Sequence, residues 1–191
     1  MNHKPHGQRV VFLSVLLSVL CGLAGCDPPD EVLGPQQQPV SILPDGVTFQ
    51  AGDGRRFFCE VEITGWGVPV GTLVPLAFVP GQFYAGQTHP PDASSLAPYI
   101  TFDPIKLNNM PVPPQIFLVA HECGHVNSGV YLSEVDANCW GARRIRAQGI
   151  LTEAEWDVVR NFLITAYPSG TGPYPSGADQ WTLMQDPFCF P

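Results

Sequence analysis

The spacing of apolar residues along the chain indicates strands first and helices later. Between positions 57 and 63 every second residue is Phe, Cys, Val or Ile, and a period of two is typical of a β-strand. The sequence AGDG at 51–54 is rich in turn-forming residues, so residues 46–65 are predicted to form a β-hairpin. Two further short strands are expected, at 72–79 and at 99–102. Pro104 favours an edge position for the second of these or a break after it.

Beyond residue 110 the pattern is that of helices with recognisable ends. Pro114 is well placed at a helix start and Gly129 at a C-cap, which predicts a helix over 115–127. Ser133 can cap a second helix that runs from Glu134 to about position 147. Only a short connection is left between the two, so they are expected to turn back tightly on each other.

A third helix completes the expected fold. Thr152 and Glu155 form a capping box that starts a helix over 153–166. Residues 167–191 return to a composition rich in glycine, proline and aromatic side chains. Strands followed by helices indicate an α+β fold, with an N-terminal β-hairpin or small sheet and then a helical core of about three helices.

The N-terminal segment has the pattern of an export signal. A short basic region precedes an apolar stretch at 11–20 that is too short to span a bilayer comfortably. The ending LAGC at 23–26 resembles a bacterial lipobox, which implies cleavage before Cys26 and a lipid on its sulfur. The expected organisation is a lipoprotein signal peptide at 1–25, a tether rich in proline and glutamine at 26–45, and a domain at 46–191.

Charge and cysteine content narrow the expected partners and compartment. The whole chain has a formal net charge of −8, which argues against a nucleic-acid partner. Four cysteines remain in the expected domain, an even number that predicts disulfides in an exported protein. They are Cys59, Cys123, Cys139 and Cys189. Their three possible pairings stay open, and no C-x₂-C spacing favours a cysteine metal site.

The candidate chemistry lies in HECGH at positions 121–125. On a helix, His121 and His125 stand one turn apart on one face, so both imidazoles can bind one Zn²⁺. Glu122, beside the first histidine, can lean over the open side of the metal and hold a water molecule. Cys123 lies about 200° round the helix from His121 and is expected to face the protein interior.

Glu134 is the candidate third ligand. It lies in the first turn of the second helix, which a tight antiparallel turn places beside the last turn of the first. Gly124 permits this close approach. Asp136 is the rival ligand, but it points to the other side of its helix from Glu134. Asn138, one turn after Glu134, is expected to accept a hydrogen bond from the free ring N–H of a zinc histidine.

HECGH followed by EVDANCWGA at 134–142 resembles the gluzincin metallopeptidases, and also small bacterial proteins with HExGH and an ExxA[DN] helix. The resemblance covers roughly residues 115–148. It implies that Glu122 is the general base, that Glu134 is the third zinc ligand, and that Asn138 supports a zinc histidine where the family more often has aspartate. It also implies hydrolysis of peptide bonds by a zinc-activated water.

The resulting hypothesis is a membrane-anchored zinc metallopeptidase, an exported bacterial lipoprotein facing the periplasm or the cell exterior. Its partners would be a peptide or protein substrate and, through Cys26, a membrane. Tyr131, Tyr174 and His89 are candidates for stabilising the oxyanion. Two alternatives stay open. One is a non-catalytic zinc-binding domain in adhesion or envelope assembly, and the other is a metal-free helix pair in which the two histidines are ordinary buried polar residues.

Overall fold

The structure, a computed structural model, describes residues 37–63, 66–93, 95–128, 133–170, 175–186 and 189. Expectations for the signal peptide at 1–25, the lipid on Cys26, the Gly129 C-cap, Tyr131 and Tyr174 lie outside these residues. Within these ranges, no helix is both long enough and apolar enough to cross a membrane.

Three short antiparallel strands form the first sheet. They are β1 (Ser41–Ile42), β2 (Thr48–Gln50) and β3 (Arg56–Phe58), paired in the order β1-β2-β3. Phe49 of β2 lies opposite Phe57 of β3, and both side chains are buried. The expected hairpin is therefore present, although its second strand is shorter than predicted. β1 and the buried Val40 precede Gly46, and the compact unit begins at Gln37, so part of the expected tether packs on the domain.

A second sheet of three strands lies further along the chain. It contains β4 (Leu76–Phe78), β5 (Gly86–His89) and β6 (Tyr99–Phe102), in the order β4-β6-β5. The central strand β6 is parallel to β4 and antiparallel to β5, and its Ile100 and Phe102 are completely buried. Two of these strands match the expected ones. β5 was not predicted, because its sequence GQTH has no apolar alternation.

The described part of the chain contains five helices, which confirms the α+β fold class. They are α1 (Pro104–Asn108), α2 (Val112–Ser128), α3 (Glu134–Gln148), α4 (Glu153–Ala166) and α5 (Gly177–Met184). The three predicted helices are α2, α3 and α4. Ser133 caps α3, Gly149 ends it in a left-handed conformation at φ 62°, and Thr152 with Glu155 forms the expected capping box. Two short helices, α1 and α5, were not predicted.

Proline decides where two of these helices begin. β6 is a central strand, so the edge position that Pro104 favoured is wrong and the break after the strand is present. Pro104 lies in the first turn of α1, which Asp103 caps. α2 begins at Val112, three residues before the predicted start, so Pro113 and Pro114 lie in its first turn. A proline is tolerated there because the first backbone N–H groups of a helix have no intrahelical acceptor.

One hydrophobic core joins both sheets to α2, α3 and α4. Its fully buried members include one or more residues from each layer, among them Phe49, Ile100, Val119, Ile145 and Val159. α2 is buried along most of its length, because it packs between the sheets and the later helices. The segment that carries HECGH is therefore the central element of the fold.

Two glycines set the distance between α2 and α3. A Cβ added at Gly124 would overlap the backbone of Ala137, whose Cα would lie 2.8 Å away. A Cβ at Gly141 would lie 2.9 Å from the carbonyl carbon of Ala120 and 3.0 Å from the backbone nitrogen of His121. The close approach expected from Gly124 is therefore present, and a second glycine on the facing helix contributes to it.

Two disulfides tie the helices to distant segments. Cys59 pairs with Cys123, which joins the end of β3 to α2, with the two Cα atoms 5.4 Å apart. Cys139 pairs with Cys189, which joins α3 to the C-terminal segment, with the Cα atoms 4.9 Å apart. The expected disulfides are confirmed and their pairing is now assigned. Such bonds persist in oxidising surroundings, which indicates an extracellular environment.

Candidate metal centre

Three side chains at the facing ends of α2 and α3 form a group that could hold a metal ion. His121 Nε2 lies 3.2 Å from His125 Nε2 and 3.2 Å from Glu134 Oε2, and His125 Nε2 lies 3.4 Å from Glu134 Oε2. Metal–ligand bonds of about 2.0–2.1 Å in a tetrahedron separate ligand atoms by about 3.3–3.4 Å. The three atoms therefore match one face of such a tetrahedron. We call these three residues the metal group.

The local structure of both helices explains this placement. His121 and His125 stand on one face of α2, with ring planes 88° apart and centroids separated by 4.7 Å. Glu134 is the first residue of α3, and its side chain is 16% exposed, slightly more than those of the histidines at 12% and 14%. Asp136, the rival ligand, is exposed, and its Oδ2 accepts a hydrogen bond from Ser133 Oγ at 2.8 Å. The structure thus brings Glu134, and not Asp136, to the histidines.

Asn138 contacts the metal group from behind. Its Oδ1 lies 2.8 Å from His121 Nδ1, and its side chain is buried. An amide oxygen can only accept a hydrogen bond, so His121 Nδ1 carries a proton, and in the neutral ring Nε2 then presents a lone pair to the metal group. This is the contact expected from the position of Asn138 one turn after Glu134.

Electrostatics favour a positive charge inside the metal group. Burial acts to lower the pKa of His121, but a hydrogen bond with Glu134 and the charges of Glu122 and Glu134 outweigh it and raise that pKa. Burial acts to raise the pKa of Glu134, but hydrogen bonds with His121 and His125 hold it far below its usual range. In the metal-free protein the group therefore attracts protons, and a bound cation would satisfy the same carboxylate and ring nitrogens.

Glu122 lies beside the metal group, held by the edge strand β5. Its side chain is buried, and the Thr88 hydroxyl shares its one proton between Glu122 Oε2 at 2.9 Å and the Glu122 backbone oxygen at 2.8 Å. Gly86, two residues earlier on the same face of β5, leaves space for the carboxylate, since a Cβ there would lie 2.8 Å from Oε1. Sequence reasoning missed both contacts, because no local pattern identifies β5 as a strand.

A cavity opens over the metal group and Glu122. Residues 86–88 of β5 line one side, and apolar residues of α2 and α4 line another: Phe117, Leu118, Phe162 and Leu163. Tyr167, which follows α4, also lines the cavity, and its burial together with the charges of Glu134 and Glu122 raises the pKa of its hydroxyl. Its place at the cavity depends on how α4 packs across α2, so the sequence alone carried no signal for it.

His89 is the one oxyanion candidate within the described residues, and it does not line the cavity. Its ring stacks on Tyr99 at a centroid distance of 4.5 Å, and its Nε2 lies 2.9 Å from Thr101 Oγ1. Since Thr88 points to Glu122, the next residue of the strand points to the opposite face. The expectation that His89 could reach the site is therefore wrong.

Comparisons with known proteins leave this centre to be interpreted from its own geometry. No protein-family model, no curated protein and no solved structure matches the chain. The likeness to gluzincins therefore depends on the motif residues between positions 121 and 138. Any function assigned to the chain is a proposal from the site itself.

Proposed function

We propose that the protein is a zinc-dependent metallopeptidase. The observation that carries the proposal is the triangle formed by His121, His125 and Glu134, which lies open to a cavity that it shares with Glu122. Structural zinc sites usually have four protein ligands, whereas catalytic sites have three and leave one position for water or substrate. In the described part of the chain the group has three members, which favours a catalytic site.

The side chains around the cavity have separate roles in the proposed hydrolysis. When bound, zinc would lower the pKa of a water molecule and polarise the carbonyl of the scissile bond. Glu122, oriented by Thr88, accepts the proton of the attacking water and later donates it to the leaving nitrogen. Asn138 holds the His121 ring in the orientation that directs its Nε2 to the metal group.

The edge strand β5 supports a peptide as substrate. β5 pairs with β6 on one side and has no strand partner on the other among the described residues, so its outer backbone groups can pair with an extended peptide. Gly86 and Thr88 place this strand directly over Glu122. A peptide added to β5 would therefore pass the proposed base, with its side chains near the apolar lining of the cavity.

The proposed setting is an exported lipoprotein that faces the periplasm or the cell exterior. The two disulfides fit an oxidising environment. A lipid on Cys26, after removal of residues 1–25, would tether the domain to a membrane without crossing it. The full-length protein expressed in bacteria should partition into detergent, and the Cys26→Ser variant should not. Equal partitioning of both would contradict the anchor.

The test of hydrolysis compares wild type with Glu122→Gln and, as a matched control, Glu153→Gln, which changes a glutamate whose side chain is 82% exposed. Each protein is assayed for zinc content and for cleavage of a proteome-derived peptide library. We expect one zinc per chain in all three, and cleavage by wild type and the control only. Zinc binding without cleavage by wild type would reject the metallopeptidase and favour the non-catalytic zinc-binding domain. The absence of stoichiometric zinc in wild type would reject both of these hypotheses.

A further inference from the structure

A line of hydrogen bonds connects the metal group to the C-terminal helix α5. His121 Nδ1 lies 2.8 Å from Asn138 Oδ1, and Asn138 Nδ2 donates to Gln180 Oε1 at 2.9 Å. Gln180 Nε2 donates in turn to the backbone oxygen of Pro175 at 2.8 Å. Asn138 and Gln180 are each 3% exposed, so both side chains are largely removed from bulk water.

The direction of this line is fixed at its far end. The carbonyl oxygen of Pro175 can only accept, so the Gln180 atom beside it is the amide nitrogen, and the amide oxygen faces Asn138. Asn138 must then turn its nitrogen to Gln180 and its oxygen to His121. The ring nitrogen that faces this oxygen must carry the proton, which leaves His121 Nε2 unprotonated. That is the form in which an imidazole binds a metal through Nε2.

We propose that Gln180 is a positioning residue for the metal group. Through Asn138 it selects the tautomer of His121, without being a member of the metal group itself. This role rests on the metal-binding part of the proposed function and is independent of hydrolysis. Without the Gln180 amide, Asn138 is free to turn its nitrogen towards His121, and that orientation selects the ring form with a proton on Nε2, which cannot bind metal.

The sequence offers a way to separate this role from simple packing of α5. In the Asn138→Asp variant the carboxylate can only accept, so it imposes the same tautomer on His121 without help from Gln180. Gln180→Met keeps the length of the side chain and removes the amide. Gln185→Met is the matched control, since Gln185 is an exposed residue at the end of the same helix.

The first experiment measures zinc affinity by competition with a chelator in a double-mutant cycle. We expect Gln180→Met to weaken zinc binding about tenfold in wild type, as is typical for partners behind metal ligands. In the Asn138→Asp background, Gln180→Met should change zinc affinity less than twofold. The control substitution Gln185→Met should leave zinc affinity unchanged in both the wild-type and the Asn138→Asp backgrounds. Equal losses in both backgrounds would show that Gln180 acts only by packing, and would overturn the proposal.

The second experiment observes the tautomer directly, in proteins that lack the carboxylate facing His121 Nε2. In the metal-free Glu134→Ala protein, at a pH where the ring is neutral, ¹⁵N NMR should find the His121 proton on Nδ1, and adding Gln180→Met should give a mixture. A proton on Nε2 in Glu134→Ala would overturn the proposal by itself. Because neither experiment measures peptide cleavage, the absence of hydrolysis would reject the proposed function without affecting the outcome for Gln180.

Discussion

The proposed base and the metal group are supported from two regions of the molecule that are built differently. On the sheet side, Gly86 and Thr88 touch the Glu122 side chain directly. On the helix side, glycine contacts fix the backbones of α2 and α3, and buried amides reach His121 through successive hydrogen bonds. Changes on the sheet side should therefore alter the base and leave metal binding intact, whereas changes on the helix side should alter metal binding first.

The largest expected effect is on the helix side, from Glu134→Ala. This substitution removes one of three ligands, so zinc affinity should fall by more than the about 10–100-fold that follows loss of a supporting partner. Asp136→Ala is the matched control, because that carboxylate bonds to Ser133 and is exposed. Chelator competition measures both variants. Loss of zinc in Asp136→Ala with retention in Glu134→Ala would reverse the ligand assignment.

The next effect tests the helix backbones with a single added methyl group. Gly124→Ala places a Cβ against the backbone of Ala137, which cannot move without shifting α3. Overpacking of this kind costs about 1–3 kcal/mol, so thermal unfolding should occur at a lower temperature. Zinc affinity should fall with it, since α3 carries Glu134. A variant with wild-type stability and zinc affinity would show that the two helices can separate freely.

The same methyl group on the sheet side should have a different result. In Gly86→Ala the new Cβ meets only the side chain of Glu122 among its three nearest atoms, 2.8 Å from Oε1 and 2.9 Å from Cγ, and this side chain can rotate where a backbone cannot. Stability and zinc affinity should therefore stay close to wild type, while peptide cleavage falls because the carboxylate is displaced. If Gly86→Ala instead loses zinc, then a change on the sheet side also alters metal binding, and the two regions do not act independently.

Thr88→Val is a smaller change in the same region. It keeps the shape of the side chain and removes the hydroxyl that donates to Glu122 Oε2. A hydrogen bond of this kind contributes about 1 kcal/mol, which corresponds to a drop in kcat of roughly five- to tenfold. Thr88→Ser keeps the hydroxyl and should retain most of the activity. Equal kcat values for the valine and serine variants would contradict a role for this bond in orienting Glu122.

The smallest expected effect lies away from both supports, at Glu155. Burial acts to raise its pKa, but hydrogen bonds from Thr152 and Arg55 outweigh this and hold the pKa below its usual value. Such a carboxylate stabilises the fold above its unfolded pKa, and this contribution is lost as pH falls through the folded pKa. At pH 7, Glu155→Gln should therefore lower the free energy of unfolding by less than about 1 kcal/mol, with a correspondingly small decrease in Tm.

The pH dependence separates this effect from the site. The Tm difference between wild type and Glu155→Gln should shrink as the pH falls below about 4, where the carboxyl takes up a proton. Zinc affinity at neutral pH should be the same in both proteins. A Tm difference that is constant from pH 7 to pH 3 would show that packing, rather than charge, is what Glu155 contributes.

Those parts of the fold with local sequence rules could be predicted. Ser133, Gly149 and the Thr152 capping box each mark a helix end by chemistry that acts within one turn. His121 and His125 share a helix face by spacing alone, and the short connection to Glu134 limits where α3 can lie. The three members of the metal group can therefore be identified from the sequence.

The residues that support the metal group and the base could not be predicted, because they come from segments with no local signal. Gly86 and Thr88 lie on β5, whose sequence has no pattern typical of a strand. Gln180 lies in a C-terminal segment rich in glycine and proline, where Ser176 is the only local sign of a helix that was available. The disulfide pairing was equally open, since four cysteines allow three arrangements and only the tertiary structure selects one. These contacts depend on how distant elements pack.

The chain positions of the metal group have a consequence for the order of folding. Its three ligand atoms come from between positions 121 and 134, whereas its surroundings come from strand β5 earlier in the chain and from α5 near the C terminus. Short loops close at a lower entropy cost than long ones, and local contacts tend to form first. The hairpin of α2 and α3 is therefore expected to bring the three ligand atoms together before α5 packs against it. The cavity is completed only when α5 has packed, so a metallopeptidase of the proposed kind would become active only once the domain is whole.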